Sequence, residues 1–140
     1  MTDTEKVLLN DRLAPAGEAR ISPLDRGFLY GEGFFETTRV FEGTPFALSM
    51  HLERLRGSCE WAGWEHVPAR ERIERGVERV IAENDVRAGY LRITVSPGSA
   101  GEKITLLIQA HDMDLAPPGE AEPIMLVKAD PRRAEGDPLV

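Results

Sequence analysis

Between Asp25 and Arg39 the chain places Asp25, Arg26, Tyr30, Glu32, Glu36 and Arg39 within fifteen residues, interleaved with glycines at 27, 31 and 33. Carboxylates and guanidiniums at that density, on backbone that can approach a ligand closely, suit a polar binding site. A solvated loop with a glycine-dependent turn is the plainer reading and carries equal weight. The GEG at 31–33 is too short to identify a phosphate loop by itself. Arg54 stands near the start of an amphipathic stretch, where a guanidinium and helix N–H groups can together grip a phosphate. An exposed helix arginine is the commoner case. His51, three residues earlier, reads as a capping or packing histidine rather than a base. Tyr90 and Arg92 are two apart in an extended run, so alternation puts a phenol and a guanidinium on one side of a strand, where they can bind a carboxylate. An edge arginine facing water is the ordinary alternative.

Metal chemistry has little support. The histidines at 51, 66 and 111 lack metal-ligand spacing, and Cys59, the only cysteine, has no CxxC partner. HDMD at 111–114 offers nitrogen and oxygen ligand types but is weighed well below a non-metal reading.

The elements that must position these residues follow from patterning. VLLN and DRLAPAGEARI read as a hairpin turning around Pro15–Gly17. SPLDRGFLYGEG reads as a loop with at most one helical turn. FFETTRVF has the aromatic and β-branched content of a strand; EGTP at 42–45 turns it, and PFALS is the returning strand. Ser49 is the expected cap of a helix over about 49–62, with Leu48, Leu52, Leu55, Cys59 and Ala62 at helical spacing. Pro68 suits the first position of a second helix, whose stripe is Ile73, Val77, Val80 and Ile81 and whose end is near Asn84. YLRITVS and KITLLIQA are strands separated by PGSAGE, and PIMLVKA is a last strand before the polar tail. Strands, two helices, then strands again predict an α+β fold, a largely antiparallel sheet packed against two helices. Residues 1–129 form the expected domain and 130–140 a linker.

A length of 140 residues is enough for one domain that buries roughly two thirds of its unfolded surface, so no disulfide or metal staple is needed. The formal charge of −7 disfavours nucleic acid as a partner, and no apolar run is long enough for a membrane span. MTDTEKVLLN lacks the basic-then-apolar form of a signal peptide, which makes cytoplasm the expected location.

Taken in order, DRG, YGEGFFET, Arg39, the EGTPF turn and HLERLRGS resemble the N-terminal region of the class IV aminotransferases, the fold type IV pyridoxal-phosphate enzymes. YLRITVS resembles that family's next strand. The family includes branched-chain aminotransferases, D-amino acid aminotransferases and 4-amino-4-deoxychorismate lyases. The resemblance implies pyridoxal 5′-phosphate (PLP) as cofactor, with Arg54 of HLERL as its phosphate ligand. It implies that Tyr30, Phe35 and Arg39 border the substrate pocket and that Glu36 is the acid of the FET run. Tyr90 and Arg92 resemble the Tyr-x-Arg pair that orients the substrate carboxylate in the branched-chain enzymes. The loop SPGSAGEK departs from the family, with Pro97 where arginine is frequent and no arginine elsewhere in it, so the substrate stays open.

The resemblance also implies that the lysine forming the Schiff base lies beyond Val140, because the only lysines are Lys6, Lys103 and Lys128 and none has the expected setting. No catalytic residue is therefore expected within the chain, which alone should be inactive. The expected function is that of the N-terminal domain of a transaminase acting on an amino acid and a 2-oxo acid, within a homodimer whose pockets are completed across subunits. A 4-amino-4-deoxychorismate lyase, eliminating pyruvate, is the nearest alternative. A non-catalytic binding or assembly module is the alternative of another class.

Overall fold

The computed structural model describes residues 2–99 and 104–113. Among these residues six strands form one sheet, antiparallel at every pairing. They are β1 (Lys6–Leu9), β2 (Arg12–Pro15), β3 (Phe34–Phe41), β4 (Thr44–Pro45), β5 (Ala88–Ser96) and β6 (Thr105–Asp112). Their order across the sheet is β2-β1-β6-β5-β3-β4. Helices α2 (Leu48–Trp61) and α3 (Arg70–Glu83) connect β4 to β5, and the short α1 (Arg26–Tyr30) precedes β3. The α+β expectation is met.

Alternation along the strands decides where the core sits. In β3, Glu36, Thr38 and Val40 are buried while Phe35, Thr37, Arg39 and Phe41 are exposed. The buried set faces α2 and α3, and its apolar member Val40 joins Leu91, Ile93, Val95, Leu106, Ile108 and Ala110 in one cluster. Helix α2 contributes Leu52, Leu55 and Cys59, and α3 contributes Ile73, Val77, Val80 and Ile81, at the i, i+3, i+4 spacing of an amphipathic face. Truncating Leu55 there would cost about 2–5 kcal/mol by transfer and cavity terms. Asn84 fastens the end of α3 to the sheet: its side chain exchanges hydrogen bonds of 2.8 Å with the backbone of Lys6 and donates to the Ala110 carbonyl at 3.1 Å.

Four local expectations need correction. The first hairpin turns at Asn10 and Asp11, not at Pro15–Gly17, because Leu9 pairs with Arg12 and Asn10 accepts the left-handed conformation at φ 58°. Ala16–Glu18 instead forms a 3-10 turn. The second hairpin turns on Glu42 and Gly43, both at positive φ, which suits a two-residue loop matching strand twist. Its returning strand spans only Thr44–Pro45 rather than PFALS. There the Phe46 carbonyl accepts from the Thr38 hydroxyl at 2.6 Å and the Phe46 N–H donates to the Arg39 carbonyl at 2.8 Å, steering the chain into α2. Helix α2 therefore begins at Leu48 with Ala47 as its N-cap, and Ser49 lies inside the first turn. Pro68 precedes α3 rather than opening it; Ala69 is the N-cap. The expected strand PIMLVKA and the linker 130–140 lie outside the described residues.

Candidate functional site

With α2 and α3 on one side, neither of them covers the other side of β3, β5 and β6, which among the described residues is bordered only at one end, by the segment carrying α1. Register determines which side chains meet on it. Arg39 lies opposite Tyr90, which lies opposite His111; Thr37 lies opposite Arg92, which lies opposite Gln109; Phe35 lies opposite Thr94. Phe35, Arg39, Tyr90 and Arg92 thus share one face, with Arg92 on a central strand. The Arg92 guanidinium carbon sits 3.8 Å from the centre of the Phe35 ring, a cation–π contact that holds the charge against the aromatic face. The Tyr90 ring packs at 4.8 Å on that of His111. His111 is buried, and its Nδ1 lies 3.1 Å from the Glu5 carboxylate, so it braces Tyr90 from the neighbouring strand. Neither Arg39 nor Arg92 has a carboxylate partner among the described residues, and these two cations are open to an anion arriving on that face.

The segment 21–33 borders this face and forms, with Phe34, Phe35, Thr94–Ser96, Thr105 and Leu107, a groove of about 560 Å³. What fixes the segment is Asp25. Its buried carboxylate caps α1 by accepting the Gly27 N–H at 2.7 Å, and it accepts the hydroxyls of Ser96 at 2.7 Å and Thr105 at 2.6 Å. Burial opposes the charge most strongly, yet the bonds from Thr105, Ser96 and the N–H groups of Gly27 and Phe28 together hold this carboxyl below the usual aspartate range. Gly27 permits the approach: a Cβ there would lie 2.6 Å from that of Ser96. Tyr30 ends α1, is exposed, and stacks under Arg26 at 5.4 Å, while Arg26 forks onto Glu32 at 2.6 and 2.5 Å. No hydrogen bond, ion pair or ring contact joins Tyr30 to Phe35, Arg39, Tyr90 or Arg92 among the described residues.

Arg54 lies across the strand from that face. It projects from α2 onto Glu36, donating from Nε to Oε1 at 2.6 Å and from Nη2 to Oε2. His51, one helical turn earlier, places Nδ1 2.7 Å from Oε2 of the same carboxylate. Burial again works against the Glu36 charge, and the bonds from Arg54 and His51 outweigh it and lower its pKa. The Arg54 side chain remains 67% exposed. Its Nη1 has no partner among the described residues, so one edge of the guanidinium is locked and the other is free to donate.

Arg54 and Glu36 stand out separately in the sequence, but their pairing and the share of His51 in it do not. The spacing of His51 and Arg54, three apart on a helix and so on one face, is the one signal that points to it. The anchoring roles of Ser96 and Thr105 have no sequence signal. His111 and Asp112, weighed as ligand types, are engaged elsewhere: Asp112 accepts the N–H groups of Arg87 and Ala88. Among the described residues no histidine, cysteine, aspartate or glutamate grouping suits a metal ion, and no helix is long and apolar enough to cross a membrane. Lys6 lies on β1, with β6 and β5 between it and β3, and Lys103 and Lys128 fall outside the described residues.

Residues 33–138 match the family model described as amino-transferase class IV. An aminodeoxychorismate lyase of Bacillus subtilis is 31% identical over 106 residues, covering 76% of this chain and 36% of that protein. A D-alanine aminotransferase of Listeria innocua is 32% identical over 91 residues, covering 64% of this chain and 32% of that protein. Among solved structures, the branched-chain aminotransferase of the thermophilic archaeon Thermoproteus uzoniensis, crystallised with norvaline, matches at a TM-score of 0.69 and 25% identity, over 78% of this chain and 41% of that one. The chain spans about a third of the length of the curated relatives it matches.

Proposed function

The chain belongs to the class IV aminotransferase family, and on that premise we propose that it supplies the N-terminal α+β domain, residues 1–129, of a PLP-dependent transaminase. The reaction moves an amino group between an amino acid and a 2-oxo acid. The observation that carries this reading is the open sheet face, where Arg39 and Arg92 lie among Phe35 and Tyr90 without carboxylate partners of their own. An α-carboxylate offers the complement: two oxygens for a guanidinium fork and a Tyr hydroxyl.

PLP, when bound, supplies the electron sink for chemistry at the substrate's α-carbon. Arg54 fits its phosphate, because the fork onto Glu36 leaves a fixed, exposed donor edge on a permanently charged group. Arg92 and Tyr90 orient the substrate carboxylate, Phe35 and Tyr30 supply apolar walls, and Arg39 adds positive charge. Lys6 has no place in this arrangement, and neither Lys103 nor Lys128 has the sequence setting the family resemblance leads one to expect of the reacting lysine, so the chain alone is proposed not to turn over, the reacting lysine coming from outside it. Exposed Leu24, Phe28 and Tyr30, at 66%, 74% and 67%, support further protein packing over this end, in keeping with a homodimer. Cytoplasm is the proposed location.

A 4-amino-4-deoxychorismate lyase is the second reading, favoured by the Bacillus subtilis relative's match over 76% of the chain. Assaying the complete protein separates them. Transfer from an amino acid to 2-oxoglutarate supports the first reading; pyruvate release from aminodeoxychorismate without such transfer replaces it with the second.

A further inference from the structure

Glu36 is a buried carboxylate whose two oxygens are both engaged by side chains of one helix face, and the position of one proton decides how that face is held. His51 Nδ1 stands 2.7 Å from Glu36 Oε2 and 3.3 Å from Arg54 Nη2. A carboxylate only accepts, so the 2.7 Å contact requires the proton on Nδ1. With that proton directed at Glu36, Nδ1 cannot also accept from Arg54. Among the described residues all the hydrogen-bond restraint on the guanidinium therefore comes from Glu36, and His51 fixes Glu36. Thr38, the next inward-facing residue of β3, is committed to the Phe46 carbonyl and does not compete. An arginine side chain carries a large rotamer entropy that is lost when it is held for a ligand. Here that loss is taken on folding.

We propose that Glu36 and His51 are positioning residues that hold Arg54 as a preset phosphate donor, its Nη1 edge presented and its Nε edge occupied. The proposal rests on the reading of Arg54 as the phosphate ligand. Glu36→Gln puts an amide N–H against one guanidinium donor and breaks the fork. His51→Leu leaves Oε2 short of a donor. His51→Asn restores an N–H near the Nδ1 position, so it should rescue what His51→Leu loses, which a role in packing alone would not predict.

The test uses the 15N-labelled 140-residue chain, with amide spectra confirming that each variant is folded. Hydrogen exchange at Arg54 Nε is read without ligand, and pyridoxamine 5′-phosphate and inorganic phosphate are then titrated by calorimetry. Glu36→Gln and His51→Leu should each speed exchange and weaken both phosphates by about tenfold, the loss of one hydrogen bond to a charged group, while His51→Asn stays close to wild type. Unchanged exchange in Glu36→Gln and His51→Leu, or a His51→Asn no better than His51→Leu, overturns the proposal. If exchange responds as expected but Arg54→Ala binds both phosphates as well as wild type, the phosphate reading itself fails, and the proposal with it.

Discussion

Phe35 and Glu36 are neighbours in β3 and serve opposite faces of the sheet, Phe35 under the Arg92 guanidinium at 3.8 Å and Glu36 under that of Arg54. One peptide unit thus separates two cationic centres with different partners: an aromatic ring that leaves the charge uncompensated, and a buried carboxylate that compensates it. An arginine on an aromatic face keeps its hydrogen-bonding donors for a ligand. An arginine forked by a carboxylate keeps only one edge, but keeps it in place.

That division predicts separable kinetics. On the proposed transaminase reading, Arg92→Leu in the complete protein should raise the amino acid's KM by about tenfold or more, since a hydrogen bond to a charged group is worth about 1.5–3 kcal/mol. Cofactor retention, measured by absorbance after gel filtration, should not change. A KM within about twofold of wild type, less than one such bond is worth, would remove Arg92 from the substrate site.

Acid should weaken the fold through two buried carboxyls. The ordinary values are 3.8 for Asp25 and 4.5 for Glu36, and both are lowered in the folded chain. The folded state therefore binds fewer protons than the unfolded one in acid. The stability they contribute is complete above those ordinary values and is lost as pH falls through the lower folded ones. Urea midpoints between about pH 7 and 3 should fall less steeply in Glu36→Gln than in wild type; parallel curves would show that the Arg54–Glu36–His51 cluster does not couple to folding.

Gly27→Ala should loosen the segment over the groove. The added Cβ would lie 2.6 Å from Ser96 Cβ and 2.9 Å from Asp25 Oδ1, so backbone must shift, at about 1–3 kcal/mol. A lowered melting temperature and faster amide exchange across 22–31 are expected. An unperturbed melt would mean the cap and the strand ends are less tightly joined than their distances indicate.

Cys59 should be inert while the chain is folded. It is fully buried against the core, and burial pushes its thiol up to about 11. Its reaction with a disulfide reagent at about pH 8, below that value, should keep pace with global unfolding as urea is raised. Rapid labelling without urea would show that the core around α2 opens locally.

Much of this was legible in the sequence for a physical reason. Alternation with period two places Tyr90 and Arg92 on one face whatever the sheet's neighbours, and the family motifs mark Arg54 and Phe35. Contacts set by docking were not legible. Arg54 reaches Glu36 eighteen residues back, and Asp25 receives its hydroxyls from Ser96 and Thr105, 71 and 80 residues away. Nothing local to those residues encodes such pairings. The turn at Asn10 was obscured because Pro15 and Gly17 carry stronger turn signals, and Ser49 failed as a cap because the Phe46 bonds to β3 start the helix earlier.

The most direct measurement is a crystal structure of the complete protein holding a phosphopyridoxyl adduct of an amino acid. The Arg54 Nη1 edge should lie on a phosphate oxygen at about 2.8 Å, with Arg54 still forked onto Glu36, and the substrate carboxylate should be within reach of Arg92 and Tyr90 on the open face. A phosphate bound away from Arg54, with the carboxylate held by groups outside this chain, would contradict both assignments.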